Sequence, residues 1–184
     1  MNFSTWQLRQ ACLALQEEGV IAYPTEAVFG VGCDPSSETA IIKLLAMKRR
    51  PLEKGLILIA ADFNQLQDFI QPLSADILAK VTKSWPGPNT WLLPVRESVS
   101  PLLTGGRDTL AVRVTAHPLA AELSRQFGGP LVSSSANITG LKPAKNVHQV
   151  RWQLPELDYV LPGALGGASK PSTIRDAVTG EVLR

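Results

Sequence analysis

The chain of 184 residues and 19.8 kDa has the length of one domain, and at this size roughly 70% of the unfolded surface can be buried. Its 45% hydrophobic and 18% charged residues exclude a disordered, solvating or coiled-coil protein. Net charge is only +2, but the stretch 43–54 carries Lys43, Lys48, Arg49, Arg50 and Lys54 against Glu53 alone, which leaves the remaining chain slightly acidic.

Ser4 or Thr5 can cap a helix whose stripe is Leu8, Ala11, Cys12 and Leu15, ending at Gly19. Val20–Tyr23 then reads as a short strand stopped by Pro24. Residues 24–32 follow as a loop in which backbone can approach a ligand. Ser36 or Ser37 caps a second helix with Ile41, Ile42, Leu44, Leu45 and Met47 on its buried side, and Pro51 bars extension past Arg50. Leu56–Ala60 has the continuous apolar character of a strand covered on both faces. A helix around Ser74–Trp85, strands at Thr90–Val95 and Leu110–Val114, and a helix over His117–Phe127 come next. Leu131–Ser133 is a strand followed by a small-residue loop, Ser134–Gly140. The segment 140–172 reads as irregular, with strand candidates at Tyr159–Leu161 and Ser172–Ile174. Alternating short strands and helices predict an α/β fold with a mixed twisted sheet.

No apolar run approaches the ~18 residues that would span a bilayer. The opening residues lack the basic and apolar regions of a secretion signal, and Cys12 and Cys33 lie in no metal or redox spacing. A cytoplasmic protein with reduced thiols is expected, bound to no membrane and holding no metal on a Cys/His cluster.

Four stretches could carry chemistry. In Pro24-Thr25-Glu26-Ala27-Val28-Phe29-Gly30 a hydroxyl, a carboxylate and spaced glycines follow a strand. Lys48-Arg49-Arg50-Pro51 is either a solvated helix end favoured by the helix dipole or an anion pocket, where a point charge and a planar fork suit polyphosphate or carboxylate. Arg113 sits inside a strand suited to burial and needs an anionic partner, either a ligand or a structural carboxylate. Ser133-Ser134-Ser135-Ala136-Asn137 can surround a ligand with donors at a strand's carboxyl end. A serine hydrolase lacks support: there is no G-x-S-x-G turn, and His117 and His148 read as structural. No P-loop and no dinucleotide fingerprint is present, so any nucleotide must be held by scattered cations and hydroxyls.

In this order and spacing the four stretches resemble the YrdC family, specifically its short, TsaC-type threonylcarbamoyl-AMP synthases. The likeness runs through Ser172 to Arg184 without the extra carboxy-terminal domain of longer relatives. It implies a single YrdC-like domain over 1–184, built as a twisted mixed open sheet flanked by helices, with a large positively lined cavity. The implied reaction joins L-threonine, bicarbonate or CO₂, and ATP into L-threonylcarbamoyl-adenylate and pyrophosphate. That product serves N6-threonylcarbamoyladenosine formation at position 37 of tRNAs reading ANN codons, through a downstream threonylcarbamoyl-transferase complex. Mg²⁺ would be carried by the nucleotide.

The resemblance also implies residue roles. Lys48 and Arg50 hold the triphosphate and stabilise the leaving pyrophosphate, with Lys54 as helper. Thr25, Arg113 and Ser135 hold threonine. Ser133 and Asn137 line the junction with the α-phosphate, and Ser172 and Arg184 close the nucleotide side. Ala27, Phe29 and Ser134 depart from the family's frequent Thr, Tyr and Thr, and Ile59 stands where some long relatives have histidine. Two rivals are a non-catalytic RNA-binding or ribosome-maturation module and a carbamoyl-adenylating relative. A single basic patch argues against tight RNA binding, because phosphate contacts demand a spread of cations.

Overall fold

The computed structural model describes residues 4–183. Among them, eight strands form one sheet: β1 (Ile21–Pro24), β2 (Phe29–Gly32), β3 (Ile57–Ala60), β4 (Asn89–Pro94), β5 (Thr109–Val114), β6 (Leu131–Ser135), β7 (Tyr159–Val160) and β8 (Thr173–Asp176). Their order is β7-β1-β2-β6-β3-β5-β4-β8. The pairs β1–β7, β3–β5 and β4–β8 are parallel, and β1–β2, β2–β6, β3–β6 and β4–β5 antiparallel, so the sheet is mixed as expected. Six helices accompany it: α1 (Thr5–Gln16), α2 (Glu38–Lys48), α3 (Ala75–Thr82), α4 (Pro101–Thr104), α5 (Pro118–Phe127) and α6 (Val147–Gln153). None of the described helices is long and apolar enough to cross a membrane.

Caps set the helix starts. Ser4, Ser37 and Ser74 accept from the main-chain N–H three residues on, and His117 does the same for α5 through its ring. Helix α2 ends at Arg49, whose left-handed backbone (φ 49°) satisfies the last carbonyls before Pro51. Its buried face is Ala40, Ile41, Leu44 and Lys48. Ile42, expected on that face, is instead 54% exposed, because it lies a residue off the i, i+3, i+4 stripe.

Alternation along the strands sorts side chains onto two faces. Val20, Ala22, Val31, Leu58, Ala60, Val112 and Val132 join the core beneath α2. Ile21, Tyr23, Ile59 and Leu131 face the opposite core, where Leu8, Leu15, Leu119 and Leu123 of α1 and α5 cover them. The registers Ile59↔Arg113, Ile57↔Ser133 and Gly30↔Ser135 put Arg113, Ser133, Ser135 and Gly30 on that second face too. The sheet therefore presents one surface that is apolar under α1 and α5 and polar just beyond them.

Three expectations are corrected. Residues 29–32, expected within a loop, form the strand β2, which is buried and paired on both edges. Ser134 and Ser135 belong to β6 rather than to the loop after it. His148, assigned to an irregular region, lies in α6, capped by Asn146. That helix buries only Val150 and Gln153, so it carries no apolar stripe to announce it.

Candidate active site

The polar end of the second face opens into a cleft of about 180 Å³. Its walls are residues 25–30, Arg50, Ile57, Pro88, Arg113, the serines 133–135, Pro143 and the segment 170–172. Main-chain bonds hold these distant pieces together. Gly166 and Ala168 donate to the carbonyls of Thr25 and Glu26 (3.1 and 2.9 Å), which brings 170–172 over the turn. Phe29 N–H donates to Ala144 (2.9 Å) and Ala144 N–H to Ala136 (3.0 Å), which seats Pro143.

The space itself comes from glycine. A Cβ on Gly30 would meet Thr25 Cγ2 at 3.1 Å, Tyr23 Cε2 at 3.3 Å and Ser133 Oγ at 3.4 Å. Beside it, Tyr23 is fully buried and donates its hydroxyl to the Val132 carbonyl (3.0 Å), and burial raises its pKa.

Six of the sequence-predicted residues line this cleft: Thr25, Arg50, Arg113, Ser133, Ser135 and Ser172. The Thr25 hydroxyl donates to the Val28 carbonyl (2.7 Å), which tightens the turn. Arg50 sends Nε and Nη2 to the Gly55 carbonyl (3.1 and 2.8 Å), so its fork is braced at the rim. Ser172 accepts from Thr90 Oγ1 (3.0 Å).

Four predicted residues lie elsewhere. Lys48 is 2% exposed and runs beneath the cleft, where its ammonium donates to the carbonyls of Ser135 and Asn137, the latter at 2.7 Å. The Lys48 carbonyl in turn accepts from Thr139 N–H (2.8 Å), so the residue clasps the 135–139 turn twice. Burial lowers its pKa from the usual lysine range to about 7, and the charge of Arg50 adds to the fall. The Asn137 amide donates to the Ile138 and Leu141 carbonyls (2.9 Å each) and braces the same turn. Lys54 is exposed and does not line the cleft. Arg184 lies outside the described residues.

The basic cluster is therefore divided. Lys43 is spent on Asp158 (2.7 Å), which ties α2 to the chain before β7, Lys48 goes below and Arg50 to the rim. The left-handed turn at Arg49 sends Lys48 and Arg50 in different directions.

Two cleft residues carry charge without having been given a role. Lys170 joins Arg50 and Arg113, which makes three cations against one carboxylate. The carboxylate is Glu26, 8% exposed. Its Oε1 accepts from Thr115 Oγ1 (2.7 Å) and Ala116 N–H (3.1 Å), and its Oε2 lies 3.3 Å from Arg113 Nη2. Burial pushes this carboxyl up, but Arg113, the Thr115 hydroxyl and the main-chain donors prevail and hold it below the usual carboxylate range. The signal for Glu26 was its place beside Thr25; the partner on β5 became visible only in the fold. Arg113 thus meets both readings, a structural carboxylate on one side and an open cleft on the other.

Other chemistry finds less support. The His117 ring caps α5 through Nδ1 (3.3 Å to Ala120 N–H) and its Nε2 faces the Ala164 carbonyl (3.0 Å), an arrangement that suits the neutral ring. Burial pushes the Cys33 thiol up to about 12 and raises Cys12 as well, so both are inert. Among the described residues no three His, Cys, Asp or Glu side chains cluster as a metal site.

Residues 13–184 match the Sua5, YciO and YrdC family model, described as telomere recombination. A threonylcarbamoyl-AMP synthase of Nitrosococcus oceani is 54% identical over 185 residues, covering 100% of both chains. One of Photobacterium profundum is 53% identical over 180 residues, covering 96% of this chain and 97% of its own. The crystal structure of P. abyssi Sua5 complexed with L-threonine superposes with a TM-score of 0.90 at 31% identity over 96% of this chain. This chain spans about half of that one, 52%. E. coli YciO shares the fold, with a TM-score of 0.80 at 24% identity.

Proposed function

The chain belongs to the Sua5–YciO–YrdC family, on its threonylcarbamoyl-AMP synthase branch, and we propose that its cleft joins L-threonine, CO₂ or bicarbonate, and ATP into L-threonylcarbamoyl-adenylate with release of pyrophosphate. The observation that carries this reading is one small hollow, assembled from both ends of the chain, lined by three cations, four serines and a single carboxylate. Two anionic substrates must be drawn together there, and such a balance of charge favours both.

The chemistry asks for positioning and neutralisation more than for a nucleophilic side chain. The threonine ammonium gives up two protons as its nitrogen bonds to the carbon of CO₂, which gives a carbamate that keeps one N–H. A carbamate oxygen then attacks the α-phosphorus, and the bond to the β-phosphate oxygen breaks as pyrophosphate departs with the electron pair. Arg50 and Lys170 would meet the phosphates as pyrophosphate charge develops, the kind of contact whose loss costs ~2.7–4 kcal/mol in the transition state. Lys48 would act from below, holding the Ser135–Asn137 turn and adding positive charge under the α-phosphate. Thr25, Arg113 and Ser135 would hold threonine, with Ser133 at the junction and Ser172 on the nucleotide side. Among the described residues Glu26 is the one carboxylate that lines the cleft, too few for a site built by the protein alone, which supports a Mg²⁺ ion that rides on the nucleotide.

We read residues 1–184 as one unit of this family, and its product as the donor consumed by a tRNA-modifying transferase. Incubating the protein with ATP, bicarbonate and a panel of amino acids tests the reading. Pyrophosphate should appear only when threonine and bicarbonate are both present. Release that follows ammonia and bicarbonate in place of an amino acid would point to the carbamoyl-adenylating relative, and no release at all to a non-catalytic RNA-binding module.

A further inference from the structure

The Glu26–Arg113 pair is incomplete in a particular way. Oε1 of Glu26 has two donors, Thr115 Oγ1 and the Ala116 N–H. Oε2, although 3.3 Å from Arg113 Nη2, accepts no hydrogen bond, and Arg113 Nε donates none. Both residues are more than nine-tenths buried, at 8% and 7% exposure, and both line the cleft. Leaving a buried acceptor and a buried donor open is costly, more so when each is charged. Both atoms are covered, and a ligand that carries both signs within one carbon, reaching them from the cleft that the two side chains line, supplies the directed partners that the pair lacks. An α-amino acid is such a ligand.

We infer that Glu26 reads the amino group of the amino-acid substrate, its Oε2 turning to accept from the substrate nitrogen while Arg113 takes the adjoining carboxylate. The inference rests on the reading of this cleft as an amino-acid site and adds the group that selects a zwitterion over a plain acid. The contact outlasts carboxylation. Going from ammonium and CO₂ to carbamate releases two protons to solvent and leaves one N–H, which continues to donate to Oε2. The new carbamate oxygens, repelled by the Glu26 carboxylate, turn towards the other cations that line the cleft, Arg50 and Lys170. Glu26 thereby points the nucleophile at the phosphate side. A role confined to scaffolding would need only Oε1, which already fixes the Thr115–Ala116 turn.

The test compares L-threonine with (R)-3-hydroxybutyrate, the same acid without its amino group, by ligand-observed NMR titration of the full chain. Wild-type protein should bind threonine at least tenfold more tightly. In Glu26→Gln, threonine should weaken about tenfold to a hundredfold while 3-hydroxybutyrate changes less than threefold, so that the preference collapses. Equal weakening of both ligands would mean that Glu26 only supports Arg113, and it would overturn the inference, as would no change in either. If Glu26→Gln does not fold by circular dichroism, the wild-type comparison decides: equal affinity for the two ligands overturns the inference. Failure of wild type to bind either ligand would instead strike the amino-acid reading of the cleft itself, and the inference with it.

Discussion

A lysine ammonium that is almost wholly buried and still bonded to two carbonyls is a compromise between desolvation and hydrogen bonding, and Lys48 makes that compromise directly under the cleft. Its pKa of about 7 lies well below that of a lysine in the unfolded chain. Between the two values the unfolded chain binds a proton that the fold has released, so stability rises with pH across that window; the cost of the buried charge is fully present below pH 7. Wild type should therefore gain ~2–3 kcal/mol between pH 7 and 9 relative to Lys48→Met, which has nothing to titrate there. Urea unfolding of both proteins at several pH values measures the difference, and parallel curves would show that Lys48 keeps an ordinary pKa. At this scale the sequence is informative about types and blind to partners. An arginine in a strand suited to burial demands an anion, and Arg113 has one. Which carboxylate answers it, and that Lys48 spends its charge on main chain while its neighbour Arg50 reaches the rim, depends on a backbone turn at Arg49 that no side-chain pattern encodes.

Elements with a cap or a stripe were legible, and those made by tertiary pairing were not. The serines before α1, α2 and α3 mark their starts, and α1 buries the stripe its spacing predicts. Strand β2 has two glycines in four residues, a composition that weakens an isolated strand and reads as loop, yet pairing on both edges makes it central. Its glycines are there for close approach. A Cβ on Gly32 would run into the carbonyl of Val132 on β6 and would meet the Tyr23 hydroxyl bonded to that carbonyl at 3.0 Å. The obstacle is backbone, so the strands themselves must part. Gly32→Ala should cost ~1–3 kcal/mol and lower the melting temperature by several degrees, whereas Gly129→Ala, with nothing within 4 Å of the new carbon, should be near neutral. Differential scanning calorimetry separates the two. Equal melting of Gly32→Ala and wild type would show that β2 and β6 have slack that the cleft does not require.

At the scale of the whole molecule the cleft is a junction. The turn 24–30 comes from early in the chain, the serines 133–135 from β6, and the segment 170–172 from near its end, and they meet through main-chain bonds such as Gly166 to Thr25 and Ala168 to Glu26. Order in the sheet explains how: β2 lies between β1 and β6, so residues far apart in sequence share one edge of the opening. Sequence patterning could propose that four stretches converge, but it contained no measure of the closing segment, which has little regular structure of its own. A ligand that touches all three walls stabilises them jointly, by ~2.7 kcal/mol at a concentration a hundred times its Kd. Hydrogen exchange should then slow together in 24–30, 133–137 and 166–173 when ATP, bicarbonate and threonine are supplied. Exchange in α1 and on the outer side of α5, which cover the other end of the same face, should stay within twofold. Protection confined to one of the three segments would mean that the substrates are held by that wall alone. In that case the shared hollow would be a consequence of packing rather than the place where carbamate and phosphate meet.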